Sequence, residues 1–239
     1  MNLTSRLKGF LINRLASAPQ NEKSSYSQCG EDILLAFVLA ELGIELPVYL
    51  DIGAHHPSYL NNTNLFYKKG SRGVNIEPDP HLFQEFVKER SEDINLNVGV
   101  GMTDEIKQTD FYVMTARVLN TFSKEEAERI DETTQYKIEK VIPIDLVSVN
   151  TVLDKYFKDK KPDLISIDVE GWDYEIVRSL DFSQLERTVF CVETLTYTED
   201  KSEKKRTDII DYFIEKGFFV CADTYINSIF VNKSVWLNR

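Results

Sequence analysis

Four short apolar segments, each with an acidic residue at or near its end, constrain the fold of this chain more than any other feature. They are residues 48–53, 73–77, 163–168 and 188–193, and their acids are Asp51, Glu77, Asp168 and Glu193. Apolar segments of this length are typical of buried parallel strands, and helical segments lie between them. Strands that alternate with helices predict an α/β fold with a doubly wound, mainly parallel sheet and right-handed crossovers.

Weaker signals predict the remaining strands. Residues 94–100 predict a further strand of the sheet, and 111–114 predict a short extra strand. The segment 141–144 is apolar but contains a proline, which has no backbone donor, so we expect an edge strand at best. Residues 218–221 and 229–231 have no helix between them, so one of these two strands must run antiparallel.

The N-terminal part of the chain differs from the rest in its charge. Its first 15 residues contain three cations and no acid, and their apolar positions follow the period of an amphipathic helix. This helix either packs on its own domain or docks weakly on a membrane surface or a partner protein. A polar linker at 18–25 and a buried helix over 33–40 follow. We therefore predict an N-terminal helical extension, residues 1–45, and a second domain, residues 46–239.

Composition limits the class of partner and the compartment. The 239 residues include 39 acidic and 28 basic ones, so nucleic acid is not expected as a partner. The three cysteines are far apart and form no C-x-x-C pair, which argues against a zinc site and a disulfide framework and favours the reducing cytoplasm. No apolar run approaches the roughly 20 residues that span a bilayer, and the N-terminus does not resemble a signal peptide.

The acids at the strand ends point to a bound ligand. In open α/β sheets, ligands bind beyond the carboxyl ends of the strands, where the strand order reverses. One such carboxylate could merely cap a helix. Four of them favour a ligand that is rich in hydroxyl groups or positive charge.

The loop after the first of these strands narrows the choice of ligand. Residues 51–57 contain one glycine, Gly53, so the G-x-G-x-x-G fingerprint of dinucleotide folds is missing, and the chain has no P-loop. Glu77 follows Gly53 by 24 residues, which suits an acid that binds two ribose hydroxyls. A nucleoside with a cation and no phosphate fits these features, and S-adenosylmethionine is such a ligand.

Five segments resemble the FkbM-type methyltransferases, which use S-adenosylmethionine. They are 26–32 (YSQCGED), 50–57 (LDIGAHHP), 75–78 (NIEP), 120–126 (NTFSKEE) and 165–171 (ISIDVEG). The resemblance implies a Rossmann-like class I methyltransferase fold with a mainly parallel seven-stranded sheet. It also implies O-methylation of a sugar or other hydroxylated metabolite, with a small molecule or a glycan as acceptor. The commoner loop of the family has an acid or asparagine where this chain has His55.

Two sets of candidate site residues follow. The residues predicted to contact the cofactor are Glu31, Asp51, Gly53, Ala54, Glu77, Pro78 and Asp168. The residues predicted to act in catalysis are Asp168, Glu170, His55 and His56. Gly53 would allow close backbone approach, and Glu77 would bind the ribose hydroxyls. The family motif suggests that Glu31 reaches the ammonium group of the cofactor, and the alternative is an acid that favours the first turn of a helix.

Methyl transfer to a hydroxyl group is helped by a base, since the hydroxyl must lose its proton. Asp168 is the first candidate, because its strand is predicted to lie next to the first strand, and Glu170 is the second. His55 and His56 are suited to proton transfer near neutral pH. The alternative for both histidines is a loop imidazole that is hydrogen-bonded to the backbone.

Other roles and functions stay open at this stage. Asp168, Glu170 and Glu193 could supply oxygen ligands to a divalent cation, although a metal-free reaction is favoured. A nicotinamide-dependent oxidoreductase is an alternative, against which the missing glycine fingerprint counts. The other alternative is a non-catalytic module that docks on a membrane enzyme of glycan assembly through its N-terminal helix.

Overall fold

The structure is a computed structural model that describes residues 23–103, 105, 107–195 and 203–239. The amphipathic helix predicted for the first 15 residues therefore lies outside the described residues. The strands are β1 (Tyr49–Ile52), β2 (Gly73–Ile76), β3 (Ile94–Leu96), β4 (Gly99–Gly101), β5 (Gln108–Met114), β6 (Ile138–Ser148), β7 (Leu164–Ile167), β8 (Val189–Glu193), β9 (Phe218–Asp223) and β10 (Asn227–Asn232). The α-helices are α1 (Glu31–Glu41), α2 (Asn64–Lys69), α3 (Pro80–Glu89), α4 (Lys124–Thr133), α5 (Val149–Tyr156), α6 (Asp173–Ser179), α7 (Thr207–Glu215) and α8 (Lys233–Leu237).

Seven strands form the central sheet in the order β3-β2-β1-β7-β8-β10-β9. The first five strands in this order pair in parallel, and β10 runs antiparallel to both β8 and β9. The predicted mainly parallel sheet is confirmed, and so is the antiparallel strand near the end of the chain. The chain builds outward from β1 on one side and from β7 on the other, so the strand order reverses between β1 and β7.

Helices cover both faces of this sheet because alternate strand residues face two hydrophobic cores. Leu50 and Ile52 belong to one core, together with buried residues of α5, α6 and α7. Tyr49 belongs to the other core, where it joins Leu35 and Val38 of α1. The buried helix predicted over 33–40 is therefore present and packs directly on the sheet. Among the described residues, no helix has the length and apolar composition needed to cross a lipid bilayer.

A second, three-stranded sheet in the order β4-β6-β5 was not expected from the sequence. The prediction of a single strand over 94–100 is wrong, since β3 ends at Leu96 and β4 begins at Gly99 in the other sheet. The side chain of Asn97 explains the break. Its amide donates to the backbone carbonyls of Glu77 and Pro78, both at 2.9 Å, and so turns the chain toward the loop after β2.

The segment 141–144, predicted as an edge strand at best, lies in β6, which is the middle strand of the second sheet but pairs with β5 alone over these four residues. The first part of β6 pairs with β5, where Pro143 lies opposite Asp110. Its last three residues, 146–148, pair with β4. The proline is tolerated because β4 pairs only with those last residues, so Pro143 has a strand partner on one side.

Candidate active site

A cavity of about 230 Å³ opens at the carboxyl ends of β1, β2, β7 and β8, where the strand order reverses. Eight of the ten predicted site residues line it: Asp51, Gly53, Ala54, His55, Glu77, Pro78, Asp168 and Glu170. Glu31 and His56 are not among the described residues that line this cavity. The sequence pattern therefore predicted eight of the residues that line the cavity, and the side-chain contacts show what each of them can do.

Glu77 follows β2, and its buried carboxylate accepts one backbone hydrogen bond on each oxygen. The donors are the amide of His55, at 2.8 Å from Oε2, and the amide of Asp79, at 2.7 Å from Oε1. Burial raises the pKa of Glu77 to about 8, although these two donors oppose the shift. Each carboxylate oxygen retains a further lone pair for a ligand, and two neighbouring hydroxyl groups match this arrangement.

Gly53 lies in the left-handed region, with a φ of 75°, and packs against the end of β7. An ideal Cβ atom at this position would lie 1.8 Å from the carbonyl oxygen of Asp168. The amides of Gly53 and Ala54 both donate to the carbonyl of Ile76, at 3.0 and 3.1 Å. Gly53 is therefore needed because the loop after β1 lies directly against the backbone of Asp168. Its spacing from Glu77 in the sequence did not indicate this packing role.

Asp51 is the buried acid at the end of β1. Its Oδ2 accepts hydrogen bonds from the hydroxyl of Thr63, at 2.7 Å, and from the amide of Asn61, at 3.1 Å. Burial raises the pKa of Asp51, while these donors and the charge of Arg90 oppose the shift. The site thus holds a buried carboxylate with donors on one oxygen and a cavity beside it.

The two loop histidines have different surroundings. His55 lines the cavity with a φ of 55°. Burial lowers the pKa of His55 to about 4, and the neighbouring His56 adds to the effect, so the imidazole of His55 is neutral at neutral pH. His56 instead accepts a hydrogen bond on Nδ1 from the amide of Ser58, at 3.2 Å. This backbone bond was the alternative considered for it.

Glu31 connects the start of α1 to the β9–β10 turn. Its carboxylate accepts hydrogen bonds from the Thr224 hydroxyl at 2.7 Å, the Cys29 amide at 2.8 Å and the Asn227 side chain at 3.2 Å. Burial opposes ionisation of Glu31, but these bonds outweigh it and its pKa is lowered. The contacts of Glu31 in the described residues are thus structural, and contact with a ligand's ammonium group stays a prediction.

Three carboxylates meet in one cluster beside the cavity, which we call the carboxylate cluster: Asp168, Glu170 and Glu193. One oxygen from each lies within 4.8 Å of the others. Burial, followed by the charges of Asp173, Asp51 and Glu31, raises the pKa of Asp168 to about 7. Burial and the charges of neighbouring acids raise the pKa values of Glu170 and Glu193 well above their usual range. Such a cluster keeps protons at neutral pH or holds a divalent cation, and its oxygen ligands are of the type that Mg²⁺ and Ca²⁺ prefer.

The sequence also matches a known protein family, and this match identifies the chain. A sequence model described as the methyltransferase FkbM domain matches residues 51–220. The chain belongs to the FkbM methyltransferase family. The resemblance stated from the sequence is confirmed, and the cofactor of this FkbM methyltransferase is S-adenosylmethionine. Family membership and the observed strand order confirm the predicted Rossmann-like class I methyltransferase fold.

Solved structures similar to this FkbM methyltransferase are distant in sequence, and no curated protein matches it. A TehB-like SAM-dependent methyltransferase from Corynebacterium glutamicum is 12% identical, with 97% of this chain and 100% of that chain covered and a TM-score of 0.44. A 1,6-didemethyltoxoflavin-N1-methyltransferase from Burkholderia thailandensis, with bound S-adenosylhomocysteine, is 9% identical, with 96% and 89% covered and a TM-score of 0.41. An O-methyltransferase from Bacillus cereus, in complex with SAH, is 12% identical, with 96% and 90% covered and a TM-score of 0.34.

One wall of the cavity of this FkbM protein is formed by residues that were not predicted as site residues from the sequence. The short 3₁₀ helix Arg117–Leu119 and the following Asn120 line it. The side chains of Arg117 and Asn120 both donate to Asp79 Oδ2, at 2.9 and 3.0 Å, which ties this wall to the loop after β2. The segment 120–126 carried part of the family resemblance, so it was the available signal. Its place beside the cavity depends on β5 and β6, which the pattern did not assign to a second sheet.

A second cavity, of about 250 Å³, adjoins the first in the FkbM domain. It shares Glu170, Glu193 and Leu195 with the first cavity. The remaining residues that line it are mostly polar or charged: Ser123, Glu125, Glu126, Arg129, Gly171, Asp173, Arg206 and Ile209. Trp172 lies near this region and stacks on Phe122 with 5.3 Å between ring centroids, so its aromatic ring is used in packing.

Proposed function

We propose that this FkbM methyltransferase transfers a methyl group from S-adenosylmethionine to a hydroxyl group of a sugar or a similar polyhydroxylated molecule. The position of the carboxylate cluster is the observation that supports this most. Glu170 and Glu193 line both cavities, and Asp168 lines the first and has a pKa of about 7. A base with a pKa near neutral, where cofactor and acceptor would meet, is suited to remove a hydroxyl proton.

The first cavity fits the cofactor in its polar and apolar parts. Glu77 can take the two ribose hydroxyls, because each of its oxygens has one backbone donor and room for another. Asp51 offers a buried carboxylate to the positively charged amino-acid end. Pro78, Val98 and Leu119 supply an apolar wall against which the adenine ring can pack.

The chain's own residues then perform the proton transfer. When bound, S-adenosylmethionine supplies an electrophilic methyl group on a positively charged sulfur. Asp168 would accept the proton that the acceptor hydroxyl loses when its oxygen is methylated. Glu170 and Glu193 keep protons more readily than Asp168, because their pKa values are raised well above the usual range. They can therefore both donate and accept hydrogen bonds, and so orient the acceptor hydroxyls in line with the methyl group.

The second cavity suits an acceptor without negative charge. Five of its lining residues are acidic, and they include Glu170 and Glu193. Its two arginines already form ion pairs, Arg129 with Glu126 and Arg206 with Asp208. A carboxylate or phosphate group placed there would meet arginines that are already paired with acids, whereas neutral hydroxyl groups find both donors and acceptors in Glu170 and Glu193.

Binding and transfer are tested in sequence. Calorimetry with S-adenosylmethionine comes first, followed by mass spectrometry of a panel of neutral sugars, amino sugars, sugar acids and glycans for the gain of one methyl group. Gain of a methyl ether on a hydroxyl group supports the proposal. Transfer to nitrogen or carbon contradicts the hydroxyl assignment. Cofactor binding with no transfer to any member of the panel favours the non-catalytic module instead.

A further inference from the structure

A buried arginine lies behind the wall of the cofactor cavity. Arg90 directly follows α3, and its side chain is 1% exposed. Asp93 balances its charge, with 2.9 Å between Arg90 Nη2 and Asp93 Oδ2, and the hydroxyl of Tyr49 accepts a further hydrogen bond from Nη2. The ring of Tyr67 packs against the guanidinium, with its centroid 4.9 Å from Cζ. Nε also donates to Asp93 Oδ2, at 2.9 Å. The remaining nitrogen, Nη1, is directed toward Asn61 and Thr63, the two residues that donate to Asp51.

The direction of the hydrogen bonds around Nη1 is fixed by chemistry. A guanidinium group can only donate, so both of its partners there must accept. They are Asn61 Oδ1, at 3.1 Å, and Thr63 Oγ1, at 3.0 Å. The oxygen of the Asn61 amide faces Arg90 and also accepts from the backbone amides of Thr63 and Asn64, at 3.0 and 2.7 Å, while the amide nitrogen faces Asp51.

The same constraint acts on Thr63. Its hydroxyl has one proton and two acceptors within reach, Asp51 Oδ2 at 2.7 Å and Asn61 Oδ1 at 3.1 Å. Arg90 already donates to Asn61 Oδ1 and to the Thr63 oxygen, so the proton of Thr63 is directed to Asp51. Replacing Arg90 by an apolar residue would leave Asn61 Oδ1 with its two backbone donors and would remove the cationic donor to the Thr63 oxygen.

We infer that Arg90 is a positioning residue for cofactor binding, which donates to Asn61 and Thr63, the two residues that donate to Asp51, and so helps to hold Asp51 as a carboxylate beside the cavity. The inference rests on the proposed function, because the binding of the cofactor's cationic end by Asp51 belongs to that proposal. It goes beyond that proposal in assigning a role to a residue that does not line the cavity. Asn61, Thr63 and Arg90 all act on Asp51, so loss of any one of them should weaken the binding of a cationic ligand by this carboxylate.

Three ionisable groups face Asp51 from neighbouring strands. These are Glu77 after β2, Asp168 after β7 and Cys191 on β8. Burial raises the pKa of Asp51 and Arg90 opposes the rise, so removal of Arg90 raises this pKa further. A cationic ligand needs Asp51 ionised. As the pH falls, an Arg90 variant should therefore lose affinity at a higher pH than the unchanged protein.

Thr63→Val and Thr63→Ser form the first test, measured by calorimetry with S-adenosylmethionine. Valine has nearly the shape of threonine but no hydroxyl, so we expect a dissociation constant about tenfold higher. Serine keeps the hydroxyl and should restore the affinity to within about twofold. Neither substitution removes the buried ion pair of Arg90 and Asp93, so both proteins can fold when Arg90 variants do not.

Arg90→Met and Arg90→Lys form the second test, and Arg72→Met is the matched control. Arg72 packs on the same ring of Tyr67, with Cζ 4.6 Å from its centroid, but pairs with Glu92 at the surface. We expect Arg90→Met to move the pH at which affinity falls upward by about one unit. Lysine keeps the charge and should reverse most of that shift, and Arg72→Met should leave the profile unchanged.

Each outcome decides a separate point. Unchanged affinity and an unchanged pH profile in folded Thr63→Val would overturn the inference while the proposed function stands. A lower melting temperature in Arg90→Met with an unshifted pH profile would overturn it as well, since that is the result of a purely structural role. If the unchanged protein itself fails to bind S-adenosylmethionine, the proposed function is overturned first, and with it the role of Asp51.

Discussion

The carbonyl oxygen of Asp168 occupies the space that a side chain at Gly53 would need. An ideal Cβ atom on Gly53 would lie 1.8 Å from that oxygen, and Gly53 has a φ of 75°. The loops after β1 and β7 therefore approach each other through bare backbone at the point where the strand order reverses. This contact places the first candidate base next to the loop that lines the cofactor cavity.

Gly53→Ala should consequently destabilise the protein and weaken cofactor binding. The clash is with backbone, which cannot rotate away, so we expect a loss of about 1–3 kcal/mol in the free energy of unfolding, as for other overpacked sites. Urea denaturation measures it. Gly43→Ala is the control, since Gly43 has a φ of 73° and nothing within 4 Å of an ideal Cβ. Equal losses in the two variants would show that strain in the left-handed region, and not the contact with Asp168, sets the cost.

Glu77→Ala should weaken the binding of S-adenosylmethionine. Glu77 can form two hydrogen bonds to the ribose, and each typically contributes about 0.5–1.5 kcal/mol, so the dissociation constant should rise by about tenfold. Calorimetry on the folded variant measures this. Glu89→Ala, an exposed acid at the end of α3, is the matched control and should bind normally. A folded Glu77→Ala protein with normal affinity would remove Glu77 from the cofactor site.

Asp168→Asn should reduce turnover far more than cofactor affinity. The substitution keeps the shape of the side chain but removes the base, and general bases typically contribute about 10²–10⁴-fold to the rate. We expect affinity for S-adenosylmethionine to stay within a few-fold and the rate on an identified acceptor to fall at least about a hundredfold. Asp154→Asn, on a side chain that is 78% exposed, controls for charge loss. Near-normal turnover would move the base role to His55 or to water, and joint loss of binding and turnover would place Asp168 on the cofactor side.

The rate of methyl transfer should rise as the pH increases through about 7, the pKa of Asp168. Burial, followed by the charges of Asp173, Asp51 and Glu31, raises the pKa of Asp168 to about 7, and a base acts only when it has lost its proton. Below that pH most molecules carry a protonated Asp168 and the rate falls about tenfold per unit. The pH dependence of kcat/KM with one acceptor measures this. A rate that is flat between pH 5 and 9 would mean that no group with this pKa takes the proton.

A chelator separates the two states open to the carboxylate cluster. The sequence favours a metal-free reaction, and a pKa of about 7 lets Asp168 act as a base without a metal ion. We therefore expect the rate to be unchanged after dialysis against EDTA and after addition of Mg²⁺. Loss of activity in EDTA that Mg²⁺ or Mn²⁺ restores would instead assign the cluster, whose oxygens lie within 4.8 Å of one another, to a divalent cation.

The residues at the ends of the parallel strands could be placed from the sequence because buried strands leave a local pattern. Asp51, Glu77 and Asp168 each follow an apolar run, and the alternation of strands and helices sets the edge at which they meet. Arg90 could not be placed in this way. It follows an amphipathic helix, as a surface arginine does, and its contacts with Tyr49 and Asn61 span 41 and 29 residues.

The second sheet was missed for a related reason. β5 and β6 contain short apolar segments, 111–114 and 141–144, but both strands also include exposed residues, and Pro143 interrupts the second segment. The partner of each strand is decided by long-range pairing, which a local pattern does not contain. Glu31 illustrates the same limit, since its partners Thr224 and Asn227 lie 193 and 196 residues away.

The order of strands at one edge of the main sheet also has a consequence for folding on the ribosome. β9 precedes β10 along the chain, yet β10 lies between β8 and β9. Within the described sheet, β9 therefore has no neighbour to pair with until β10 has been synthesised and has inserted beside β8. The two strands must dock together as a hairpin after the parallel strands have been made, so completion of the sheet is a late event that depends on residues near the end of the chain.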